Sequence, residues 1–237
     1  MRLRSHRMPR QVTIINAPAF AAAATRFRRS LNAWFRSHGR DLPWRRTRDP
    51  YRVLVSELML QQTQVSRVQG YYARFLERFP TLHQLAAAHP GRVMEAWTGL
   101  GYYARARNLH KLARQVTRDG GVLPPQPEEL RKLPGIGAYT AGAVASFAYE
   151  QRAALVDTNV ARVLARVFAP RLNPKQPRDL KKIWVIAAAI LPRTGKAAWT
   201  HNQAVMELGA LVCTARVKRC EQCPVRAVCL TGGQPEQ

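Results

Sequence analysis

Two acidic residues stand where a chain with few acids would least be expected to place them. Glu57 lies in LVSELMLQQTQ (54–64), a stretch that would be apolar on nearly every side of a helix, and Asp157 closes the apolar run AALVD. With 14 Asp and Glu against 38 Lys and Arg in 237 residues, neither is there by abundance. Ionised carboxylates are almost never buried unless something pairs or uses them. Asp157 also reads as an N-cap, because it precedes a helical pattern and Asp accepts from first-turn amides. Both readings can hold, since a capping carboxylate can stay ionised and face a developing cation. Glu95 and Glu207, also among apolar neighbours, read as helix-edge carboxylates paired with nearby Arg or Lys.

A second constellation comes late. Cys213, Cys220, Cys223 and Cys229 form a C-x6-C-x2-C-x5-C run. Four thiols in so short a loop suit one shared centre better than two disulfides. Zinc usually takes two well-separated C-x2-C knuckles. A [4Fe–4S] cluster held by four thiolates fits this spacing best. Arg216, Lys218, Arg219 and Arg226 make the loop cationic.

The elements that must position these groups read as helices. Phe27, Leu31, Trp34, Phe35 and His38 recur on one helix face. DLPWRRTRDPY (41–51) reads as loop, after which Asp49-Pro50 opens the helix of Glu57. TLHQLAAAHPGRVMEAWTGLGYYARARNLHKLARQV holds two or three short helices, broken at Pro90-Gly91 and at Gly99-Leu100-Gly101. A short helix starts near Pro127, and others start near 138, 158, 178 and 198. Period-two alternation is absent, so the chain is expected to be all-α. In LPGIGAYTAGAV (133–144), Pro134, Gly135 and Gly137 make a tight hairpin between helices, with backbone bare enough for amides at a helix start to meet a phosphate. Such a turn holds backbone and not sequence.

The formal charge is +24 and the pI near 11.3, which argues for a polyanionic partner. Nucleic acid fits; an anionic membrane surface is the rival, but the cations are not gathered on one amphipathic helix. No run of 18 apolar residues exists, so no membrane span and no membrane partner is expected. Residues 1–40 hold nine arginines and no acid. They read as a basic arm on phosphate, or alternatively as an organellar transit segment.

Beyond these residue-level readings, the chain resembles the helix–hairpin–helix DNA glycosylase superfamily of endonuclease III, and within it the MutY-like adenine glycosylases. LPWR, DPYRVLVSELMLQQTQV, WTGLGYYARARNLHK, LPGIGAYTAGAVAS, VDTNVARVLAR, NQAVMELGALVCT and the cysteines carry the resemblance, from about residue 25 to 230. It implies two helical domains flanking a DNA-binding cleft: a six-helix domain with the hairpin over 48–152, and a cluster domain from 25–47 plus 153–231. Residues 1–24 would be an arm and 232–237 a tail.

The resemblance implies a monofunctional enzyme that flips and hydrolytically removes adenine opposite guanine or 8-oxoguanine. Glu57 would protonate the leaving base and Asp157 stabilise or briefly bond the sugar cation, with Asn159 orienting the site. Tyr139 falls where endonuclease III has its Schiff-base lysine, so strand scission is not expected. Trp44, Arg45 and Gln203 match positions lining the adenine pocket, and Gln62, Thr63 and Tyr102 match positions that probe the duplex. Gly135 and Gly137 would hold DNA phosphate, and Cys213, Cys220, Cys223 and Cys229 the [4Fe–4S] cluster. A cytoplasmic monomer is expected.

Two departures bear on substrate. The MutY-like proteins continue past the cluster into a Nudix-like domain that reads 8-oxoguanine, whereas this chain stops at Gln237, leaving preference between 8-oxoguanine and guanine open. Thr158 follows Asp157 where glycine is usual. Thymine or uracil removal from G·T or G·U pairs is therefore an alternative, and a non-catalytic DNA-binding iron–sulfur protein is one of another class.

Overall fold

Proline and short polar side chains set where most helices begin. The computed structural model describes residues 18–232. Asp49 accepts from the Arg52 amide at 3.1 Å with Pro50 in the first helical position, which fixes the start of one helix. Thr81 and His89 cap two others, Pro127 and Pro177 open two more, and Asp157 caps another. Eleven α-helices result among the described residues. They are α1 Pro18–His38, α2 Pro50–Leu60, α3 Val65–Arg78, α4 Leu82–Ala87, α5 Pro90–Ala96, α6 Ala104–Arg118, α7 Pro127–Leu130, α8 Ala138–Phe147, α9 Thr158–Phe168, α10 Pro177–Ala189 and α11 Gly195–Leu211. Short 3-10 turns occupy Pro43–Arg45, Cys220–Gln222 and Arg226–Val228. Among the described residues, β structure is limited to a single bridge between Cys213 and Lys218, and the fold is all-α as the patterning implied.

Small differences from the sequence reading have local causes. Pro90 starts α5 rather than breaking it, because a first-turn proline lacks only an amide that would be unbonded anyway. α11 begins at Gly195, not near 198. Residues 18–24 form the first turns of α1, where a run of alanines has the highest helix propensity. The rest of the basic N-terminal segment lies outside the described residues. None of the described helices is long and apolar enough to cross a membrane.

The chain divides into two compact units. One contains residues 40–155 and 194–199. Its centre is α2, buried from Val53 to Met59 on every side, packed against α8, which is buried from Thr140 to Phe147. Gly142 of α8 permits close approach of the segment that follows that helix: a Cβ would collide with the Ala154 carbonyl. Helices α4 and α5 lie on α6, and Phe75 meets Trp97 edge-on at 5.7 Å.

The other unit contains 18–39, 156–193 and 200–232 of the described residues. Phe27, fully buried, packs edge-on against Phe168 at 5.1 Å and His201 at 6.0 Å. α9 is strongly amphipathic: Val160, Val163, Leu164 and Val167 face the core, while Arg162 and Arg166 reach the cysteine loop.

Candidate functional site

In the unit built on α2, Glu57 is 3 % exposed. The Tyr139 hydroxyl, from the first turn of α8, donates to Glu57 Oε2 at 2.8 Å. One residue along α8, Thr140 Oγ1 accepts from Gln61 Nε2 at 3.4 Å. Helix packing thus brings together two residues 82 apart in sequence. Burial disfavours the charged form of a carboxyl, and a phenol donating to it works the other way.

Past Leu60 the chain turns sharply. Gln62 has φ 56° and Tyr102 φ 46°, left-handed values uncommon outside glycine. Both side chains are exposed, Tyr102 to 59 %, and both line one open surface pocket with Gln61, Tyr103 and Arg107. Thr63 is half-buried and donates to the Gln61 carbonyl at 3.3 Å. Beneath the pair lies Arg105, 7 % exposed. Its Nη1 donates to the carbonyls of Leu58, Met59 and Gln61 at 2.8, 2.9 and 2.5 Å. Its Nη2 donates to those of Leu100 and Gly101 at 3.2 and 3.1 Å. Burial pulls the Arg105 pKa below the usual arginine value.

Trp44 sits in the Pro43–Arg45 turn, buried, with its ring edge-on to Tyr72 at 5.5 Å. Arg45 Nη1 donates to the Arg40 carbonyl at 2.8 Å. In the hairpin, Gly135 has φ 77°, and a Cβ there would lie 2.6 Å from Asn108 Cβ, so glycine is required for both turn and packing. Gly135 and Gly137 are exposed, and no side chain caps α8.

In the other unit, Asp157 Oδ1 accepts from the Val160 amide at 2.6 Å, so the N-cap expectation holds. Asn159 Nδ2 donates to Asp157 Oδ2 at 3.3 Å. Arg162 Nη2 donates to Asn159 Oδ1 at 2.7 Å, fixing the amide's orientation. Burial pushes the Asp157 carboxyl above the usual carboxylate range, against the pull of two backbone amides, Arg162 and the Asn159 side chain. Gly209 makes room for Asn159, since a Cβ would lie 2.7 Å from Asn159 Cβ. Gln203 is 5 % exposed on α11.

All four cysteines are free and half-buried, and they line a single pocket with Val163, Arg166 and Gly232. The Cys223 thiol is pushed up to about 11 by burial and by the three other thiols beside it. Among the described residues no three His, Cys, Asp or Glu side chains gather round an ion-sized point. The four thiols nonetheless line one pocket, and four thiolates are a donor set that a [4Fe–4S] cluster or a zinc ion takes. Arg166 Nη1 donates to Cys213 Sγ at 3.3 Å and the Gly232 amide to Cys229 Sγ at 3.3 Å; such donors stabilise thiolate ligands. A side chain at 232 would press on Cys220 Sγ at 3.1 Å.

Three features escaped the sequence reading. Glu95 is an exposed partner of Arg78, as expected, but Glu207 is fully buried on α11. Arg105 was one basic residue among many. Its signal was position: it falls on the same stripe as Leu109, Leu112 and Val116, the buried face of α6. His201 is buried with its Nδ1 unpartnered among the described residues.

The family model for the HhH-GPD superfamily of base excision DNA repair proteins matches residues 55–186. Human adenine DNA glycosylase is 44 % identical over 226 residues, 91 % of this chain and 41 % of its own length. The adenine DNA glycosylase of Mycolicibacterium smegmatis is 47 % identical over 198 residues, 82 % of this chain and 66 % of its own. The chain therefore spans less than half of the human relative and about two thirds of the mycobacterial one. A thermostable thymine-DNA glycosylase of known structure superposes with a TM-score of 0.82 at 30 % identity, over 91 % of this chain and 99 % of that one.

Proposed function

The chain belongs to the HhH-GPD superfamily of base excision DNA repair proteins, and from that premise we propose that it is a monofunctional DNA glycosylase that removes adenine paired with guanine or 8-oxoguanine. The observation that carries the reading is the buried Glu57 carboxyl under the Tyr139 hydroxyl. A buried carboxyl keeps its proton more readily than an exposed one, and a tyrosine in place of an amine supplies no Schiff base. Relatives bearing the name adenine DNA glycosylase at 44 and 47 % identity support adenine as the base.

The chemistry follows from those side chains. Glu57 passes its proton to a ring nitrogen of the extruded adenine. The C1′–N bond then breaks with its electron pair going to the base. Asp157, ionised and oriented by Asn159, stabilises the sugar cation. Water adds at C1′ and passes its surplus proton to solvent, from which the Glu57 carboxylate is reprotonated, leaving an abasic site and an intact strand. Trp44, Arg45 and Gln203 take the roles of pocket residues, and Gln62, Thr63 and Tyr102 those of residues that enter the duplex as the base leaves it. The exposed Gly135 and Gly137 and the +24 charge suit phosphate contact along duplex DNA. Cys213, Cys220, Cys223 and Cys229 would hold a [4Fe–4S] cluster, which when bound supplies a structural and redox-capable centre. The working unit is one chain.

The thymine-DNA glycosylase likeness favours a second reading, removal of thymine or uracil opposite guanine. Base release from duplexes carrying A opposite 8-oxoguanine, A opposite G, T opposite G and U opposite G, each with and without alkali, separates the two. Adenine strands cleaved only after alkali support the proposal. Cleavage of T or U strands instead moves the substrate to the second reading, and cleavage without alkali overturns monofunctionality.

A further inference from the structure

Arg105 stands apart from the other basic side chains among the described residues. It is buried, no acidic side chain among the described residues pairs with it, and its nearest aromatic faces are Trp97 and Tyr102, at 5.5 and 5.4 Å. A buried guanidinium is costly unless its donors are satisfied. Here they are satisfied almost wholly by main-chain carbonyls. Those carbonyls belong to two segments far apart in sequence: the C-terminus of α2 with the turn after it, and the loop before α6. Each segment ends in a non-glycine residue at left-handed φ, Gln62 in one and Tyr102 in the other. Such conformations persist only when their surroundings over-determine them. One planar cation bonding both segments does that, and it joins them into one rigid unit.

We propose that Arg105 is a positioning residue that sets Gln62 and Tyr102 as a pair for entry into the duplex, so that base extrusion depends on it more than bond cleavage does. This rests on the adenine glycosylase reading above. Glu57 is one turn back on the same helix, but its hydrogen bond to Tyr139 does not pass through Arg105. Lysine at 105 keeps the charge yet cannot span five carbonyls, because its donors sit on one atom.

The test compares single-turnover adenine release by wild type and Arg105→Lys on two substrates. One is a fully stacked duplex with A opposite 8-oxoguanine; the other places the same adenine in an unpaired bulge, where extrusion is cheap. On the stacked duplex the variant is expected to lose on the order of 100-fold in rate, and on the bulge only a small part of that. Fluorescence of 2-aminopurine beside the target base, which reports unstacking on binding, is expected to rise less with the variant than with wild type. Equal losses on both substrates, or no loss on either, overturn the proposal. If Arg105→Lys does not fold, Gly101→Ala reads the same contact. Gly101 has φ 70° with nothing within 4 Å of an added Cβ, so alanine there strains only the loop whose carbonyl Arg105 holds. A selective loss on the stacked duplex again supports the proposal, and a uniform one refutes it. A wild-type protein that releases no adenine from either substrate defeats the function, not the positioning; the 2-aminopurine comparison still decides the latter.

Discussion

Replacing Tyr139 with phenylalanine keeps the ring and removes one oxygen, and with it the 2.8 Å bond to Glu57 Oε2. That bond favours the ionised carboxyl over the neutral one. Hydrogen bonds to charged groups contribute about 1.5–3 kcal/mol and neutral ones about 0.5–1.5 kcal/mol. Its loss therefore disfavours the carboxylate by about 1–1.5 kcal/mol, or about one pH unit at 1.36 kcal/mol per unit. In the proposed reaction Glu57 works as an acid only while it holds its proton, so the rate is expected to fall as pH rises through its titration. Tyr139→Phe is expected to move that alkaline limb up by about one pH unit, leaving the variant faster than wild type, relative to its own optimum, at alkaline pH. The assay is single-turnover adenine release across pH at saturating enzyme, with Glu57→Gln as the blank. An alkaline limb that stays in place or moves down refutes the assignment of Glu57 as the acid held by Tyr139.

Glu57→Gln is expected to lower single-turnover release about 10²–10⁴-fold while duplex affinity, measured by fluorescence anisotropy, stays close to wild type. In the proposed reaction Asp157 acts ionised, and burial raises its pKa; the acid limb of the same rate profile should therefore lie above the ordinary aspartate value of about 3.9, and a limb at or below it rejects the role. Buried His201 is held down to about 3, by burial first and then by Arg28, against about 6.5 in the unfolded chain. Only the unfolded chain takes up a proton in that window, so the stability His201 allows is present above about pH 6.5 and lost as pH falls toward 3. His201→Leu should recover roughly 3 kcal/mol of this loss at about pH 4.5, read from urea midpoints. Gly142→Ala drives a Cβ into the Ala154 carbonyl and should cost about 1–3 kcal/mol in the same unfolding experiment.

What could be read in advance divides by the range of the interaction. Helix starts at Pro50, Pro127, Pro177 and Asp157 are local events, set by a fixed φ or a side chain reaching three residues ahead, and they were legible. So was the gathering of four cysteines within 17 residues. The Tyr139–Glu57 bond was not, because it depends on how α2 and α8 pack. The same holds for Arg105: its place on an apolar stripe is visible in the sequence, but which carbonyls it reaches is a property of two folded loops. Glu207 was read as a helix-edge residue because local pattern does not reveal that α11 is covered there.

The apolar character of α2 also has a consequence before the protein is folded. From Val53 to Ser66 the chain carries a single charge, Glu57. On the ribosome or during refolding, that stretch is exposed to other chains, and its ionised carboxylate is the one charge between Arg52 and Arg67 that opposes strand-like self-association. One side chain thus serves two opposite states, charged in water to keep nascent chains apart and buried in the native helix. Glu57→Gln should accordingly give less soluble protein than wild type even if its folded form is equally stable.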